Sequence, residues 1–279
     1  MSLVVFTALV GMIMAPGGFG ETGLHPVLAI AALALISVGA GASAALNMWY
    51  DADIDAIMSR TKERPIPSGR VSKGSALVFG LWVSGLAVMG MAVMINYLSA
   101  ALLAFTIFFY AVIYTMFLKR ATAQNIVIGG AAGALPPVIG WAAAANSLSI
   151  EPLIYFAIIF FWTPPHFWAL ALIKNDDYKA AKIPMLPVTS GEKATLRQIV
   201  AYSIVLFGVT LLPYILGFSG QFYAAGASLL GLIFVGMCVY LAFSNDEQRN
   251  RIAGMTFVYS IFYLFLLFVL LPADKLVGA

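Results

Sequence analysis

The sequence predicts an all-α, polytopic membrane protein, a bundle of about nine transmembrane helices with its N-terminus inside. Of its residues 62% are hydrophobic and only 10% are charged, and the mean hydropathy of +0.96 is far above that of a soluble domain. Apolar runs of roughly 17 to 25 residues, long enough to cross a hydrocarbon core as helices, recur along the whole chain. These runs are apolar on all faces, whereas the strands of a transmembrane barrel alternate, so helices must satisfy the backbone.

Nine segments are expected to span the membrane. They lie at 2–16, 26–48, 74–95, 98–118, 125–145, 151–173, 198–217, 221–243 and 252–272. The first has no basic region before it and further spans after it, so it is interpreted as a transmembrane helix rather than a signal peptide. At roughly 15 residues before Pro16 it is short for a full span. Either a natural N-terminal part lies outside this sequence, or the helix ends early.

The basic residues map to one side of the predicted bundle. With nine helices and the N-terminus inside, every lysine and arginine except Lys275 falls on the same side. The positive-inside rule makes that side cytoplasmic. The charge map therefore supports the helix count and predicts one integral membrane domain over 1–279, in the cell inner membrane. It gives no indication of a nucleic-acid partner.

Two connections on the predicted inner side are long and charged, 49–73 and 174–197, whereas the outer connections are brief. Because functional residues concentrate on such loops, the site is expected there. The positions of the loops after the second and sixth helices suggest a repeated unit of about four helices, with a site between two halves.

Small residues and prolines interrupt the apolar runs. The small residues at 39–46 and 129–134 predict close helix packing. The proline pairs Pro136–Pro137 and Pro164–Pro165 remove amide donors, so kinks that shape a cavity are one outcome. Cys238, the only cysteine, lies in an apolar run and excludes a disulfide framework.

The first polar constellation follows the second helix. Asn47, Asp51 and Asp55 are spaced four residues apart, so in a continuing helix they share one face, while Asp53 points elsewhere. Stacked carboxylates near apolar lipid need a cation, and oxygen ligands that also leave room for phosphates suit Mg²⁺. The alternative is a solvated helix end whose acids pair with nearby basic residues.

Basic residues come directly after this turn. Arg60, Lys62, Arg64 and Arg70 could pair with phosphate oxygens, arginine in bidentate fashion. They also serve as ordinary positive-inside topology signals, and both uses can coexist.

A second acidic constellation follows the sixth helix. Asp176 and Asp177 are flanked by Lys174, Lys179 and Lys182. The cluster fits a second metal position with phosphate-binding cations, or a salt-bridged loop. Because both acidic clusters would sit at one depth on one face, the bundle could bring them together around a single diphosphate.

These residues resemble the UbiA-type intramembrane prenyltransferase superfamily, and more closely its haem-modifying branch. The superfamily-type first motif is Asn47, Asp51 and Asp55 followed by RTKERP at 60–65. The features typical of the branch are Asp53, Leu118 to Arg120, WTPPHFWALA at 162–171 and DDYKAAKIPMLPV at 176–188. The chain departs from the superfamily at Ala181, where many members carry a second aspartate, and it has no Lys-Pro-Arg-like segment before the first helix.

The resemblance implies an Mg²⁺-dependent transfer of a farnesyl group from farnesyl diphosphate to a vinyl group of haem b, giving haem O for haem-copper oxidase assembly. It implies haem A synthase or oxidase assembly factors as partners, beside the lipid bilayer. The resemblance implies catalytic roles for Asn47, Asp51 and Asp55. It implies that the metal ligands are Asp51, Asp55, Asp176 and Asp177. Diphosphate-binding candidates are Arg60, Lys62, Arg64, Lys119, Arg120, Lys174 and Lys179.

His166 is one of two histidines and lies in an apolar run beside Pro165, Phe167 and Trp168. Two interpretations stand: a hydrogen-bonded core histidine, or a haem contact at the iron or at a propionate. Other aromatic residues, Trp162 and Tyr114 among them, could face the prenyl chain or serve as packing.

Two other functions compete with haem farnesylation. A related prenyltransferase acting on the aromatic ring of a quinone precursor would use the same diphosphate machinery. A transporter with charged gating loops would carry ionisable residues near the bilayer midplane, whereas nearly all charges here lie near the predicted inner helix ends and His166 is the main exception.

Overall fold

The computed structural model describes residues 2–19 and 23–278, and within them the secondary structure is helical apart from one isolated β-bridge between Phe19 and Leu24. The long helices are α2 (Pro26–Tyr50), α4 (Lys73–Met94), α8 (Ile150–Ile173), α11 (Gly191–Ile215), α12 (Gln221–Phe243) and α13 (Asp246–Val277). The others are α1 (Ser2–Met14), α3 (Ala52–Ile57), α5 (Tyr97–Phe108), a π-helix (Phe109–Leu118), α6 (Asn125–Ala134), α7 (Pro136–Ala145), α9 (Asn175–Ala180) and α10 (Leu186–Thr189).

Eight helical stretches in the described chain are long and apolar enough to cross a membrane. Six are single helices, and two are composite: α5 runs into the π-helix, and α6 into α7. The predicted all-α, polytopic fold is therefore confirmed, and each predicted segment coincides with a helix. The first segment forms α1, an apolar helix of 13 residues that ends at Met14. The count of nine spans and the orientation of the N-terminus stay predictions.

The two proline pairs have different effects. Pro136 and Pro137 mark the break between α6 and α7 at Leu135. Pro164 and Pro165 lie inside α8, which continues through both. Because a proline removes one backbone donor, α8 lacks two backbone hydrogen bonds in its C-terminal half. One pair thus divides a span, and the other stays within one.

Glycines allow α1 and α7 to cross in close contact. A Cβ atom at Gly11 would lie 2.1 Å from the carbonyl oxygen of Pro137, and one at Gly140 would lie 2.0 Å from that of Ala8. Since no real Cβ approaches a backbone oxygen so closely, only glycine fits at these positions. The predicted packing at 39–46 and 129–134 also takes this form, because a Cβ at Gly129 would meet the ring of Tyr114 at 2.2 Å.

Two large apolar clusters form the core, and a smaller third cluster packs α3 against α9 and its neighbours. One large cluster is built around Ile36, Met91 and Ile139, and the other around Trp168 and Phe268. Helix α1 contributes to both clusters, with Ala8 and Met12 in the first and Val10 in the second. The helices of the two clusters meet at a cavity, and the predicted site residues lie around it.

Candidate active site

The first acidic constellation occupies the junction of α2 and α3. The helix is interrupted only at Asp51, and the i to i−4 pattern continues through it, with Asp51 N bonded to Asn47 O at 2.9 Å and Asp55 N to Asp51 O at 2.8 Å. Asn47, Asp51 and Asp55 are buried, at 6%, 0% and 2% exposure. The side chain of Asp53 is 62% exposed and points away from them. The three residues therefore share one inward face.

Each buried acid of this junction has basic partners. Asp51 bonds to Lys119 Nζ through Oδ2 and lies 3.2 Å from Arg120 Nη2 through Oδ1. Asp55 accepts from Arg64 Nη1 with both oxygens, at 3.0 and 2.8 Å. The alternative of a solvated helix end is wrong in its solvation, because both carboxylates are shielded from solvent. Its pairing of the acids with nearby basic residues is confirmed for Asp55 and Arg64.

Arg120 is held outside the site by an exposed carboxylate. Two guanidinium nitrogens donate to Asp53 at 2.8 Å, and the group lies 5.2 Å from the centre of the Tyr50 ring. The hydrogen bonds from Arg120 lower the pKa of Asp53 to about 2, and those to Asp53 raise the pKa of Arg120. Arg120 is thus fixed at the rim, where it bonds to the exposed Asp53 and to the buried Asp51.

The π-helix places Thr115 and Lys119 against the junction of α2 and α3. Lys119 N bonds to Tyr114 O, five residues earlier, at 2.8 Å, and Thr115 Oγ1 donates to Tyr110 O at 2.8 Å. The Thr115 hydroxyl in turn accepts from Asn47 Nδ2 at 3.1 Å, and the same nitrogen donates to Asp51 at 2.9 Å. The wider turn therefore presents Thr115 to Asn47 and Lys119 to Asp51.

A cavity of about 430 Å³ extends from these groups into the bundle. Its polar end is formed by Asn47, Asp55, Arg60, Arg64 and Lys119. The rest of its lining is largely apolar and aromatic and includes Leu3, Val4, Thr7, Tyr110, Tyr114, Asn125, Ile126, Gly129, Gly130, Gly133, Ile159, Trp162, Thr163, His166, Phe167 and Leu264. Charged groups at one end and apolar and aromatic walls at the other fit an elongated amphiphile with an anionic head.

His166 lies in the apolar part of this cavity. Its ring is sandwiched between Trp162 and Phe257, with centroids 4.2 and 4.5 Å away, and its Nδ1 is 2.6 Å from Ser260 Oγ. Trp162 Nε1 donates to Ser260 O at 2.8 Å. His166 is therefore a buried, hydrogen-bonded residue that also lines the cavity, and its contact with haem stays a prediction.

The second acidic constellation does not line the cavity. Asp176 is fully exposed, 3.9 Å from Lys179 Nζ, whereas Asp177 accepts from Ser59 Oγ at 2.6 Å and so ties α9 to the turn after α3. Lys174 and Lys62 are exposed. Within the described residues, no three histidine, cysteine or acidic groups come together as a ready metal cluster. The geometry gives no support to metal or phosphate roles for Asp176, Lys62, Lys174 and Lys179.

Five residues at or beside the cavity were not predicted from the sequence. Tyr110, Asn125 and Tyr178 line it, whereas Thr115 and Ser260 bond to the lining residues Asn47 and His166. Tyr178 follows the Asp176–Asp177 pair and points inward, and burial raises its pKa. Asn125 is buried, with its Nδ2 donating to Thr122 O at 2.7 Å. Tyr178 had a signal, since it belongs to the same motif as the acids. The other four residues lie in apolar segments, where a single hydroxyl or amide is ordinarily interpreted as a packing residue.

Sequence comparison identifies the family. The profile of the UbiA prenyltransferase family matches residues 4–270. The chain belongs to this family. Protoheme IX farnesyltransferase of Parvibaculum lavamentivorans is 58% identical over 283 residues, which cover all of this chain and 86% of that protein. Protoheme IX farnesyltransferase 2 of Mesorhizobium japonicum is 56% identical and covers 99% of this chain and 87% of that protein.

Solved structures of the UbiA type share the fold. A digeranylgeranylglyceryl phosphate synthase superposes with a TM-score of 0.78 at 17% identity, covering 98% of this chain and 93% of that one. A UbiA homologue from Archaeoglobus fulgidus, solved with DMAPP and Mg²⁺, gives a TM-score of 0.71 at 16% identity, with 96% and 94% covered. The helical arrangement around the cavity is therefore that of a UbiA prenyltransferase.

Proposed function

We propose that this UbiA-family enzyme transfers a farnesyl group from farnesyl diphosphate to a vinyl group of haem b, giving haem O. The observation that carries the proposal is the single cavity, which joins buried acids and basic residues at one end to an apolar chamber with His166 at the other. The names of the relatives, protoheme IX farnesyltransferases at 56–58% identity over nearly the whole chain, support the acceptor.

The donor binds at the polar end. Arg60, Arg64 and Lys119 line the cavity there and supply cations for the diphosphate oxygens. Positive charge held at this point stabilises the negative charge that builds on the departing diphosphate, an effect that is often the largest in catalysis.

The residues present also fit Mg²⁺. Asp51 and Asp55 are buried carboxylates one helical turn apart, and the amide oxygen of Asn47 accepts no hydrogen bond from the described residues while its nitrogen is engaged. Such oxygen donors, together with substrate phosphates, are what Mg²⁺ prefers. Bound there, the ion would neutralise charge on the leaving group.

The chemistry needs a dry acceptor chamber. The allylic C–O bond breaks with both electrons leaving on the diphosphate, and the terminal vinyl carbon of haem b forms the new C–C bond. Water then adds to the carbon next to the porphyrin ring and loses a proton. Tyr110, Tyr114, Ile159 and Trp162 line the route and keep water from the allylic cation before the C–C bond forms.

The placement in the cell follows from charge. The one-sided distribution of lysine and arginine supports the cell inner membrane as the location, with the polar end of the cavity facing the cytoplasm. Haem O is released into or beside the bilayer, so haem A synthase or oxidase assembly factors are proposed as the partners that take it.

A product assay tests the function. Membranes containing the protein are supplied with haem b, farnesyl diphosphate and Mg²⁺. The haems are then separated by chromatography and identified by mass spectrometry. We expect haem O from wild type and at most traces from Asp51→Ala. Prenylation of a hydroxybenzoate in place of haem b would replace the proposal with a quinone-precursor prenyltransferase, and equal haem O from Asp51→Ala would refute the role of the acidic turn.

A further inference from the structure

The Ser260 hydroxyl makes two very short contacts. Its Oγ lies 2.6 Å from His166 Nδ1 and 2.6 Å from the backbone oxygen of Phe257. Both distances are at the short end for hydrogen bonds, and Ser260 and His166 are both buried. Each contact therefore needs a proton between its two heavy atoms.

Counting the protons selects the tautomer. A serine hydroxyl has one proton, and the carbonyl of Phe257 has none to give. If Ser260 donates to Phe257 O, then His166 must donate from Nδ1, and both contacts are hydrogen bonds. In the opposite tautomer one proton would serve two contacts, which would leave two lone pairs facing each other at 2.6 Å. The pair of distances therefore requires the proton on Nδ1.

We infer that Ser260 is a positioning residue that holds His166 in the Nδ1–H tautomer, so that Nε2 offers its lone pair to the iron of haem b. This inference rests on the proposed function for the identity of the ligand. No described residue bonds to Nε2, and His166 lines the cavity. Orientation of a ligating imidazole through its other nitrogen is the usual way in which proteins prepare a metal-binding histidine.

The surroundings leave the ring little freedom. Trp162 and Phe257 stack on its two faces, and Trp162 is itself anchored to the backbone oxygen of Ser260 at 2.8 Å. The two stacked rings therefore prevent the imidazole from rotating about its Cβ–Cγ bond. Ser260, on α13, bonds to both Trp162 and His166 and so fixes their relative position. The lone pair at Nε2 is held in one direction before a ligand arrives.

The tautomer also decides between iron and propionate. A neutral imidazole without a proton on Nε2 cannot donate a hydrogen bond to a carboxylate, but it can ligate iron. Among the contacts of His166 in the described chain there is no acidic side chain to stabilise an imidazolium. The iron is thus the part of haem b that His166 is built to meet.

The first test reads the tautomer without haem. The chain has only His25 and His166, so ¹⁵N-histidine labelling gives two ring systems, and His25→Gln assigns them. Two-bond ¹H–¹⁵N correlations on detergent-solubilised protein at neutral pH should show His166 protonated at Nδ1 and bare at Nε2. A wild-type ring protonated at Nε2, or at both nitrogens, would overturn the inference whatever the behaviour of the variants.

The second test reads the iron bond. Protein loaded with haem b and reduced is examined by resonance Raman for the iron–histidine stretching band. We expect the band in wild type and in His25→Gln, its loss in His166→Ala, and a shift to lower frequency in Ser260→Ala, with return toward the wild-type position in Ser260→Thr. A band that survives His166→Ala, or that does not move in Ser260→Ala, contradicts the inference.

The two proposals fail separately. If the protein binds haem b through His166 but forms no haem O, the proposed function fails and the Ser260 inference stands. If haem O forms and the tautomer is the opposite one, the Ser260 inference fails and the function stands.

Discussion

At the scale of single residues, the site separates two aspartates that are two positions apart. Asp51 is fully buried and bonded to Lys119 and Arg120, whereas the side chain of Asp53 is 62% exposed and bonded to Arg120 alone. The junction of α2 and α3 thus buries one carboxylate against Lys119 beside the cavity and presents the other to the solvent. Their substitutions should have very different effects.

Asp51→Asn should lower kcat/KM for farnesyl diphosphate by about 10²–10³-fold, because it removes a charge from the proposed metal and diphosphate site. Asp53→Asn is the matched control and should cost less than about fivefold, since an exposed ion pair is worth at most about 1 kcal/mol. Steady-state rates of haem O formation check both. Equal losses in the two variants would contradict the separation.

The pH dependence of Asp53 gives a second prediction. Arg120 lowers the pKa of Asp53 from 3.8 to about 2, so the stability from this pair is present above pH 3.8 and is lost as the pH falls toward 2. Because Asp53 stays ionised above pH 4, Asp53→Asn should leave the acidic limb of the kcat/KM profile in place. A shift of that limb by half a pH unit or more in Asp53→Asn would contradict the prediction that Asp53 does not control the acidic limb.

The sequence could predict which acids face inward but not their partners. The four-residue spacing of Asn47, Asp51 and Asp55 follows from helical geometry, and the structure places all three on one buried face. The pairing of Asp51 with Lys119 joins segments 68 residues apart. No local pattern encodes a contact between two helices of this separation, so it had to come from the tertiary structure.

At the scale of elements, the π-helix at Phe109–Leu118 sets the angle at which Lys119 leaves its span. An α-helix turns by about 100° per residue, so a Lys119 that followed Tyr114 at α-helical pitch would point elsewhere. The i to i−5 bonds widen the turn instead. Such local widening is frequent at functional sites.

Insertion of one alanine directly after Phe117, whose side chain is 64% exposed, should turn Lys119 by about 100° away from Asp51, because each added helical residue rotates the chain by that angle. We expect haem O formation to fall as far as in Lys119→Ala, by about 10²-fold or more, while far-ultraviolet circular dichroism stays helical. Phe117→Ala, which keeps the register, is the control and should retain activity. An insertion variant as active as Phe117→Ala would show that register does not matter.

The sequence predicted this span but not its pitch. The segment 98–118 reads as one apolar helix, and α5 together with the π-helix fills it. Tyr110 and Tyr114 share a face at either pitch, so nothing in their spacing distinguishes the two. The two pitches differ in where they place Lys119. The hydrogen bonds of Thr115 with Asn47 and of Lys119 with Asp51 stabilise the wider turn.

At the scale of the whole molecule, α1 packs against both apolar clusters and closes the wall of the cavity. Its crossing with α7 depends on Gly11 and Gly140, where a methyl group would run into backbone oxygens. The ring of Phe6 also packs on Phe265 of α13, with centroids 4.7 Å apart. A short helix thus connects the two parts of the bundle.

Gly140→Ala should destabilise the protein by about 1–3 kcal/mol, because overpacking at a close crossing forces the helices apart. Gly236→Ala is the control, since a methyl group there meets nothing within 4 Å. Thermal unfolding of purified protein in detergent measures both. A wild-type midpoint for Gly140→Ala would mean that α1 can shift at no cost.

The arrangement of the bundle was less predictable than its helices. The nine segments were apparent from length and hydropathy, but their sides facing lipid and protein are equally apolar, so the pattern does not say which helices meet. Only the glycines carried that information, and the sequence predicted close packing without naming the partners. The division into two core clusters joined by α1 came from the structure.

The ion pairs at the polar end would couple the binding of a divalent cation to the binding of the diphosphate. Asp51 and Asp55 already hold Lys119 and Arg64, so a divalent cation arriving alone must compete with those side chains, and a diphosphate arriving alone must take cations from the acids. If the metal and the diphosphate bind here as proposed, the acids would exchange lysine and arginine for the metal, and the freed cations would turn to the phosphates. Each ligand would then raise the affinity of the other by the same factor.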